Sequence, residues 1–211
     1  MAFTGFPVAA LDFYDDLEMD NTKSFWDKHK AVYDEGVKAP MTALLAELEP
    51  EFGSGKIFRP YRDVRFAKDK TPYKTHQGGY VAVAPATGYY VELSARGVRV
   101  GGGFYDASTA RLGTIRDAIA DDGPGRRLRT VVNRLQKDGW EIGGERLKTT
   151  PRGYDADHPR IDLLRHKSLT AGRSYGFDGL IHTPELAERV RQDWRALKPL
   201  VSWVETHAGD T

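Results

Sequence analysis

The sequence predicts an α+β fold in which a central antiparallel β-meander carries packed helices and a long C-terminal helix. Three observations indicate this fold class. Apolar residues recur at helical spacing in residues 1–50, alternate or cluster as β-branched and aromatic residues in 57–104, and return to helical spacing in 106–207. Helices followed by a meander and then by more helices are typical of the α+β class. Because the chain has 211 residues and no Ser- or Pro-rich linker, we expect a single domain over residues 1–211.

Three helices are predicted in the N-terminal region. Pro7 suits the first position of a helix, and Thr22 suits an N-cap. Pro40 opens or kinks the third helix, and Pro50 should end it because proline lacks the N–H that continues a helix. The apolar faces are Leu11, Tyr14 and Leu17 in the first helix, Phe25, Trp26, His29 and Tyr33 in the second, and Met41, Leu44, Leu45 and Leu48 in the third.

The middle region is predicted to be a meander of short strands. Strands are expected at residues 57–66, 80–84, 89–95 and 98–104, between glycine and proline residues that favour turns. The last three are joined at Ala86-Thr87-Gly88 and at Arg96-Gly97. Such short connections cannot carry the crossover that a parallel pair requires, so these strands should be antiparallel.

The C-terminal half is predicted to be mostly helical. Asp106 is a candidate N-cap for a helix with Leu112, Ile115 and Ile119, and a second helix ends before Gly139. Residues 140–182 suggest a strand through Trp140, Ile142 and Leu147 and a short helix at 161–165. The last helix begins at Thr183-Pro184, is bent at Pro199, and carries a stripe of Leu186, Val190, Leu197, Val201 and Val204.

The composition argues against several classes of protein. With 31 Lys and Arg against 30 Asp and Glu, the net charge of +1 is not that of a globally basic nucleic-acid binder. The absence of cysteine removes disulfides, thiolate metal sites and cysteine nucleophiles. No apolar run approaches the roughly 18 residues of a membrane span, and residues 1–30 lack the pattern of a secretory signal. We therefore expect a soluble, cytoplasmic protein that does not associate with a membrane.

Local charge is uneven despite the neutral total. Residues 12–20 hold five acidic residues and no basic one, whereas residues 56–76 hold seven Lys or Arg against Asp63 and Asp69. In an extended strand, Arg62 would point to the same side as Phe58, Val64 and Phe66, and would enter the core if those residues do. A buried guanidinium requires a carboxylate partner.

Two interpretations of the basic segment 59–76 stay open. In the first, Asp63 and Asp69 pair with neighbouring cations on a solvated hairpin edge, where lysines also guard against aggregation. In the second, the cations bind an anion, preferably a phosphate, because arginine donates to phosphate bidentately and lysine adds a point charge. The residues predicted to contact such a ligand are Arg62, Arg65, Lys70, Lys74, Tyr73, His76 and Tyr105.

Several motifs together resemble one family. They are Asn21 with Phe25-Trp26, His29-Lys30 and Tyr33, and the segments 62–74, 89–94, 101–105, 151–159 and 163–167. These motifs are similar to those of the bacterial and fungal family catalogued as domain of unknown function 2461, and they extend over nearly the whole chain. The resemblance implies no activity, substrate or catalytic residue. The family's common Arg-Glu-Trp-Phe reads Lys23-Ser24-Phe25-Trp26 here, which suggests that the aromatic pair packs rather than reacts.

Other candidate sites are weaker. Gly101-Gly102-Gly103 lacks the spacing of a dinucleotide fingerprint and is better explained as a bend or bulge at the end of a strand. Asp155 and Asp157 are better explained as caps of the helix near Pro159 than, with His158, as metal ligands. Glu92 is a candidate general base, although its place on an alternating strand favours a simply exposed side chain. The sequence therefore predicts no metal, no cofactor and no identifiable nucleophile.

Three functional hypotheses remain. The first is a domain that binds a phosphate-bearing or other anionic small molecule through residues 59–76; if it is an enzyme, the cations would stabilise charge that develops during transfer or hydrolysis. The second is a nucleic-acid-binding module that adds the arginines of 126–134. The third is a protein-interaction scaffold in which the acidic segment 12–20 of one copy meets the basic segment of another. The sequence does not specify the oligomeric state.

Overall fold

Residues 8–52 are almost entirely helical, as the apolar spacing predicts. The structure, a computed structural model, describes residues 2–209; the outer limits of the predicted domain, residues 1 and 211, lie outside this range. Helix α1 spans Val8–Met19 and α2 spans Lys23–Val32. Helix α2 continues through a π-helical turn, Tyr33–Lys38, directly into α3, Ala39–Phe52.

The ends of these helices follow from local chemistry, with one correction. The Thr22 hydroxyl accepts the Phe25 N–H at 3.2 Å, so the predicted N-cap of α2 is confirmed. The prediction that Pro50 ends α3 is wrong. The helix continues to Phe52 and is followed by Gly53, whose φ of +93° favours glycine. Proline is tolerated in this last turn because it removes a single intrahelical hydrogen bond.

A six-stranded antiparallel sheet follows, with strand order β1-β2-β3-β4-β6-β5. The strands are β1 Gly55–Ile57, β2 His76–Ala84, β3 Thr87–Ser94, β4 Gly97–Phe104, β5 Glu141–Gly143 and β6 Leu169–Gly176. Strand β1 pairs with β2 so that Lys56 lies opposite Tyr80, and β5 pairs with β6 so that Ile142 lies opposite Ala171. The predicted α+β class and the meander of β2, β3 and β4 are confirmed.

The expected strand at residues 57–66 is wrong. Strand β1 ends at Ile57, and the chain then forms a long irregular connection to β2. Pro60 lacks a backbone N–H for a continuous ladder. Phe66, which an extended strand would turn to the same side as Phe58 and Val64, is 97% exposed. Arg62 is consequently not drawn into the core.

The second half of the chain is mixed. Its helices are α4 Thr109–Ala120, α5 Asp122–Lys137, α6 Ile161–Leu164 and α7 Glu185–His207, with a 3₁₀ turn at Gly179–His182. Helix α4 is capped by Ser108 rather than by Asp106. The long C-terminal helix is confirmed, and its predicted stripe is fully buried at Leu186, Val190, Leu197, Val201 and Val204. Within residues 2–209, no helix is both long and apolar enough to cross a lipid bilayer.

The chain divides into two compact units. The first contains the residues up to 81 together with 90–100 and 174–192, and the second contains 82–89, 101–173 and the residues from 193 onward. In the first unit, α3 packs closely on β1 and β2 because Gly55 and Gly79 present no side chain to it. A Cβ atom on Gly79 would lie 3.0 Å from Leu45 Cδ1. The basic segment 59–76 belongs entirely to this first unit.

Candidate functional site

Residues 58–75 form a single loop, here called the basic loop, that connects β1 to β2. Its two ends are joined by backbone hydrogen bonds, from the Arg62 N–H to the Pro72 carbonyl at 2.9 Å and from the Lys74 N–H to the Pro60 carbonyl at 2.8 Å. Tyr61 and Tyr73 form a bridge between them. The loop is therefore closed at its base, and residues 62–71 form its outer part.

The base of the basic loop is fixed to α2. The Tyr73 ring stacks on Trp26 with ring centres 4.3 Å apart and an angle of 6° between the planes. Asn21 donates its side-chain amide to the Tyr73 carbonyl and accepts the Tyr73 N–H, both at 3.0 Å. Tyr73 is buried by these contacts. Tyr73, which the sequence predicts as a ligand contact, therefore lies at the base of the loop and packs against α2.

The cations of the outer part are bound within the loop itself. Arg62 pairs with Asp69 and also donates to Thr71. Arg65 makes a two-point contact with Asp63, from Nε at 3.0 Å and from Nη2 at 2.7 Å. Lys70 donates to the Val64 carbonyl at 2.9 Å. Three predicted ligand contacts, Arg62, Arg65 and Lys70, therefore already have partners inside the loop.

These contacts lower the pKa values of the two carboxylates in the outer part of the loop. Hydrogen bonds from the Thr71 N–H, from Arg62 and from the Thr71 hydroxyl lower the pKa of Asp69 to about 2. The Arg65 guanidinium and N–H lower the pKa of Asp63. Both aspartates are therefore ionised near neutral pH and offset the positive charge of this part of the loop.

Two cations at the base of the basic loop have a different environment. Lys74 Nζ lies 5.5 Å from the centre of the Phe58 ring, a cation–π distance. Burial, and then the positive charge of Arg59, lower the pKa of Lys74. Among residues 2–209, neither Arg59 nor Lys74 has a carboxylate partner within 4.0 Å. Two like charges thus lie near each other without a direct ion pair, although Arg59 also helps to lower the pKa of Asp63 from a greater distance.

A cavity of about 310 Å³ is lined by Arg59 and lies between α2, the π-helical turn and residues 57–61. Lys74 lies over Phe58 of its wall but does not itself line it. The positive groups of the cavity are Lys30, Lys38 and Arg59, and its only described carboxylate is that of Asp34, which is paired with Lys30. Its other walls include the rings of Trp26, Tyr33, Phe58 and Tyr61. The cavity therefore combines a net positive charge with aromatic surface.

Trp26, which contributes to this cavity wall, has a buried hydrogen-bond donor. The residue is only 3% exposed, and its Nε1–H is buried and has no acceptor among the described residues. Indole nitrogen can only donate a hydrogen bond, and a buried donor without an acceptor costs free energy. This donor is enclosed by protein atoms and is not part of the open surface of the cavity.

His76 lies at the start of β2, in a cluster with Glu92 and Tyr90. The Tyr90 hydroxyl donates to Glu92 Oε2 at 2.6 Å, and His76 Nε2 lies 3.9 Å from the same oxygen. Burial and the Glu92 carboxylate raise the pKa of Tyr90, so the phenol keeps its proton. Tyr90 also lies 6.3 Å, ring to ring, from Phe58 of the cavity wall. Glu92 is therefore a hydrogen-bonded, partly buried carboxylate rather than a freely exposed one.

The remaining predicted residue, Tyr105, belongs to the second compact unit. It follows β4, is half exposed, and its N–H donates to the Ala86 carbonyl at 3.0 Å. The preceding glycines are part of β4 and lie close to β6, since a Cβ on Gly103 would be 2.2 Å from the Leu169 carbonyl oxygen. They are explained by strand packing.

No cluster of three or more metal-ligating side chains occurs in residues 2–209. His158 Nδ1 accepts the Arg160 N–H at 3.1 Å, and α6 has no side-chain cap, so the expected capping by Asp155 or Asp157 is wrong. The His158 side chain therefore provides the acceptor for the backbone N–H of Arg160 at this turn.

Lys30, Lys38 and Arg59 lie outside the set of ligand contacts that the sequence predicts. One signal could have identified part of the cavity: Trp26, Lys30 and Tyr33 follow one another at helical spacing, which would place them on one helix face. An amine between two aromatic rings on one helix face is unusual for a core stripe. Lys38 gives no such signal, because its position depends on the π-helical turn.

Comparison with known proteins identifies the family of the chain. No match was found among curated proteins. Residues 9–203 match the family model described as conserved hypothetical protein (DUF2461), which covers most of the chain. The chain therefore belongs to the DUF2461 family of conserved hypothetical proteins.

Proposed function

We propose that this protein binds a phosphate-bearing or other anionic small molecule in the cavity beside the base of the basic loop. The observation that carries the proposal is the pair Arg59 and Lys74, two neighbouring cations without a carboxylate partner among residues 2–209. Lys38 extends the positive surface along the cavity wall. The expected cytoplasmic location of this activity stays a prediction.

A bound anion would reduce two unfavourable contributions to the free energy of the folded protein. It would offset the repulsion between Arg59 and Lys74, and it would replace the water that Lys74 loses on burial. Phosphate suits this arrangement because a guanidinium donates to two of its oxygens while an ammonium adds a point charge. In this proposal Arg62, Arg65 and Lys70 shape the loop through their internal contacts, whereas Lys74 and His76 are near the ligand. A contact of Tyr105 with the ligand stays a prediction.

The test compares single-charge variants that differ in their place on the loop. Inorganic phosphate is titrated into the full chain by calorimetry, in chloride buffers of constant ionic strength. We expect Arg59→Gln and Lys74→Gln each to weaken phosphate binding by about tenfold or more, because a charged hydrogen bond contributes about 1.5–3 kcal/mol. Binding should also raise the thermal unfolding midpoint of the unmodified protein.

Arg65→Gln is the matched control. It removes one positive charge from the same loop, but at a side chain that is 77% exposed and paired with Asp63. Phosphate affinity of this variant should stay within about twofold of the unmodified protein, because Arg65 does not line the cavity and its charge is already offset by Asp63. Equal loss in Arg65→Gln and Arg59→Gln, or no phosphate binding by the unmodified protein, would contradict the proposal.

A further inference from the structure

We propose that the ligand of this cavity is a nucleotide, in which a planar heteroaromatic base accompanies the phosphate. This inference rests on the proposed function and adds the chemical class of the rest of the ligand. Its basis is the composition of the cavity wall, where aromatic rings and cations alternate within one site.

The first argument is the exposed aromatic surface. Tyr61 lines the cavity and is 48% exposed, although most tyrosines of the first unit are buried. Its ring lies 6.0 Å from Trp26 and 5.5 Å from Tyr73, centre to centre. Those two rings hold Tyr61 from one side and leave surface open on another. Any of the nucleobases can stack on such a ring, because each base has a π-face.

The second argument is the charge beside this ring. Lys30, Lys38 and Arg59 line the same cavity as Tyr61. Inorganic phosphate alone would offset the cations but would leave the open surface of the Tyr61 ring uncovered. The cations and the ring together therefore favour a ligand with both parts.

The third argument is size. Small-molecule sites commonly have volumes of about 300–1,000 Å³. The cavity, at about 310 Å³, is at the lower end of this range. It accommodates a single base with its sugar and phosphate rather than a dinucleotide. The inference is thus a mononucleotide, with the base against Tyr61 and the phosphate toward Arg59.

The experiment titrates adenosine 5′-monophosphate, cytidine 5′-monophosphate, ribose 5-phosphate and inorganic phosphate into the full chain by calorimetry. We expect at least one nucleotide to bind about tenfold or more tightly than ribose 5-phosphate. Tyr61→Leu should remove this advantage, measured as the ratio of nucleotide affinity to ribose 5-phosphate affinity within the same variant. Tyr61→Phe keeps the ring and should retain the advantage, so it serves as the matched control.

A second measurement does not depend on any variant. Saturation-transfer NMR on the unmodified protein should transfer magnetisation most strongly to the base protons of the bound nucleotide. Equal affinity for nucleotides and ribose 5-phosphate, or saturation confined to ribose protons, would overturn the nucleotide assignment while the anion proposal stands. Absence of binding by all four probes would instead overturn the proposed function itself.

Discussion

Arg65 and Lys74 carry the same charge on the same loop, yet their surroundings give them different roles. Arg65 is largely exposed and contacts Asp63 two residues away. Such surface ion pairs contribute little to stability, typically about 0–1 kcal/mol. Lys74 lies over Phe58, partly buried and close to Arg59. The sequence shows where the positively charged residues are, but the group that each of them contacts depends on how the loop folds.

Asn21 helps to hold the basic loop in position through its contacts with Tyr73. Replacing it with alanine removes two hydrogen bonds to the backbone of Tyr73. We expect Asn21→Ala to lower the free energy of unfolding by about 1–3 kcal/mol, because each such bond contributes about 0.5–1.5 kcal/mol. Urea denaturation monitored by circular dichroism measures this change.

Asn133→Ala provides the comparison for Asn21. Asn133 lies on the exposed face of α5, so its replacement should change stability by no more than about 0.5 kcal/mol. Similar losses in the two variants would mean that the Asn21 contacts do not hold the loop. Phosphate affinity should fall in Asn21→Ala as well, since Lys74 directly follows Tyr73.

At the scale of the element, the meander could be predicted because its information is local. β-branched and aromatic residues alternate in 80–104, and two-residue turns dictate antiparallel pairing. Strand β6 could not be identified in this way. Its residues 169–176 are mostly small or polar, and they form a strand because they lie between β4 and β5 in the sheet. Tertiary pairing decides such a segment rather than its own preference.

The same distinction explains the errors in the basic loop. An alternating pattern at 57–66 suggests a strand, but no neighbouring strand takes up its outer half. Residues of the loop instead satisfy each other through contacts such as Arg62 with Asp69. The positive charge of the segment could be predicted from the sequence. The cavity could not, because half of its wall comes from α2 and the π-helical turn, far earlier in the chain.

The junction of β4 and β6 yields a prediction at the same scale. Gly103 has φ of +134°, and a Cβ there would lie 2.2 Å from the Leu169 carbonyl oxygen. Gly103→Ala combines a strained backbone with a clash against another backbone, so we expect it to destabilise the protein by more than about 1 kcal/mol. Thermal and urea unfolding measure the loss.

Gly113→Ala is the corresponding control in α4. A Cβ on Gly113 would meet no atom within 4 Å, and alanine is the better helix former. This variant should be stabilised by about 0.4–1 kcal/mol. If Gly103→Ala proved as well tolerated as Gly113→Ala, close packing of β4 on β6 would not be required.

At the scale of the whole molecule, charge balance separates the functional hypotheses. The second basic stretch, on α5, is largely compensated: Arg126 pairs with Asp122 at 2.6 Å, Arg129 pairs with Asp162, and Arg134 lies 3.6 Å from Asp138. These arginines are therefore less available to phosphates than their number suggests. The nucleic-acid and scaffold hypotheses stay predictions, and no observed contact favours either.

Salt dependence provides a test at this scale. A module that neutralises six phosphates of single-stranded nucleic acid would show a log–log slope of about −4 for affinity against salt. For a small anion held by Arg59 and Lys74 we expect a slope of magnitude no greater than about 2. Calorimetric titrations of phosphate and of a short oligonucleotide measure both slopes when they are repeated at salt concentrations between about 50 and 200 mM. A steep slope that is reduced by Arg127→Gln would favour the nucleic-acid hypothesis.

The π-helical turn at Tyr33–Lys38 links ligand recognition to helix geometry. A π turn accommodates one more residue than an α turn, and such turns are frequent at functional sites. If the same residues formed a regular α-helix, Lys38 would be rotated by about 100° relative to Lys30. The two amines would then no longer line the same cavity. A substitution that straightens this turn would thus separate the two amines without changing any residue of the wall.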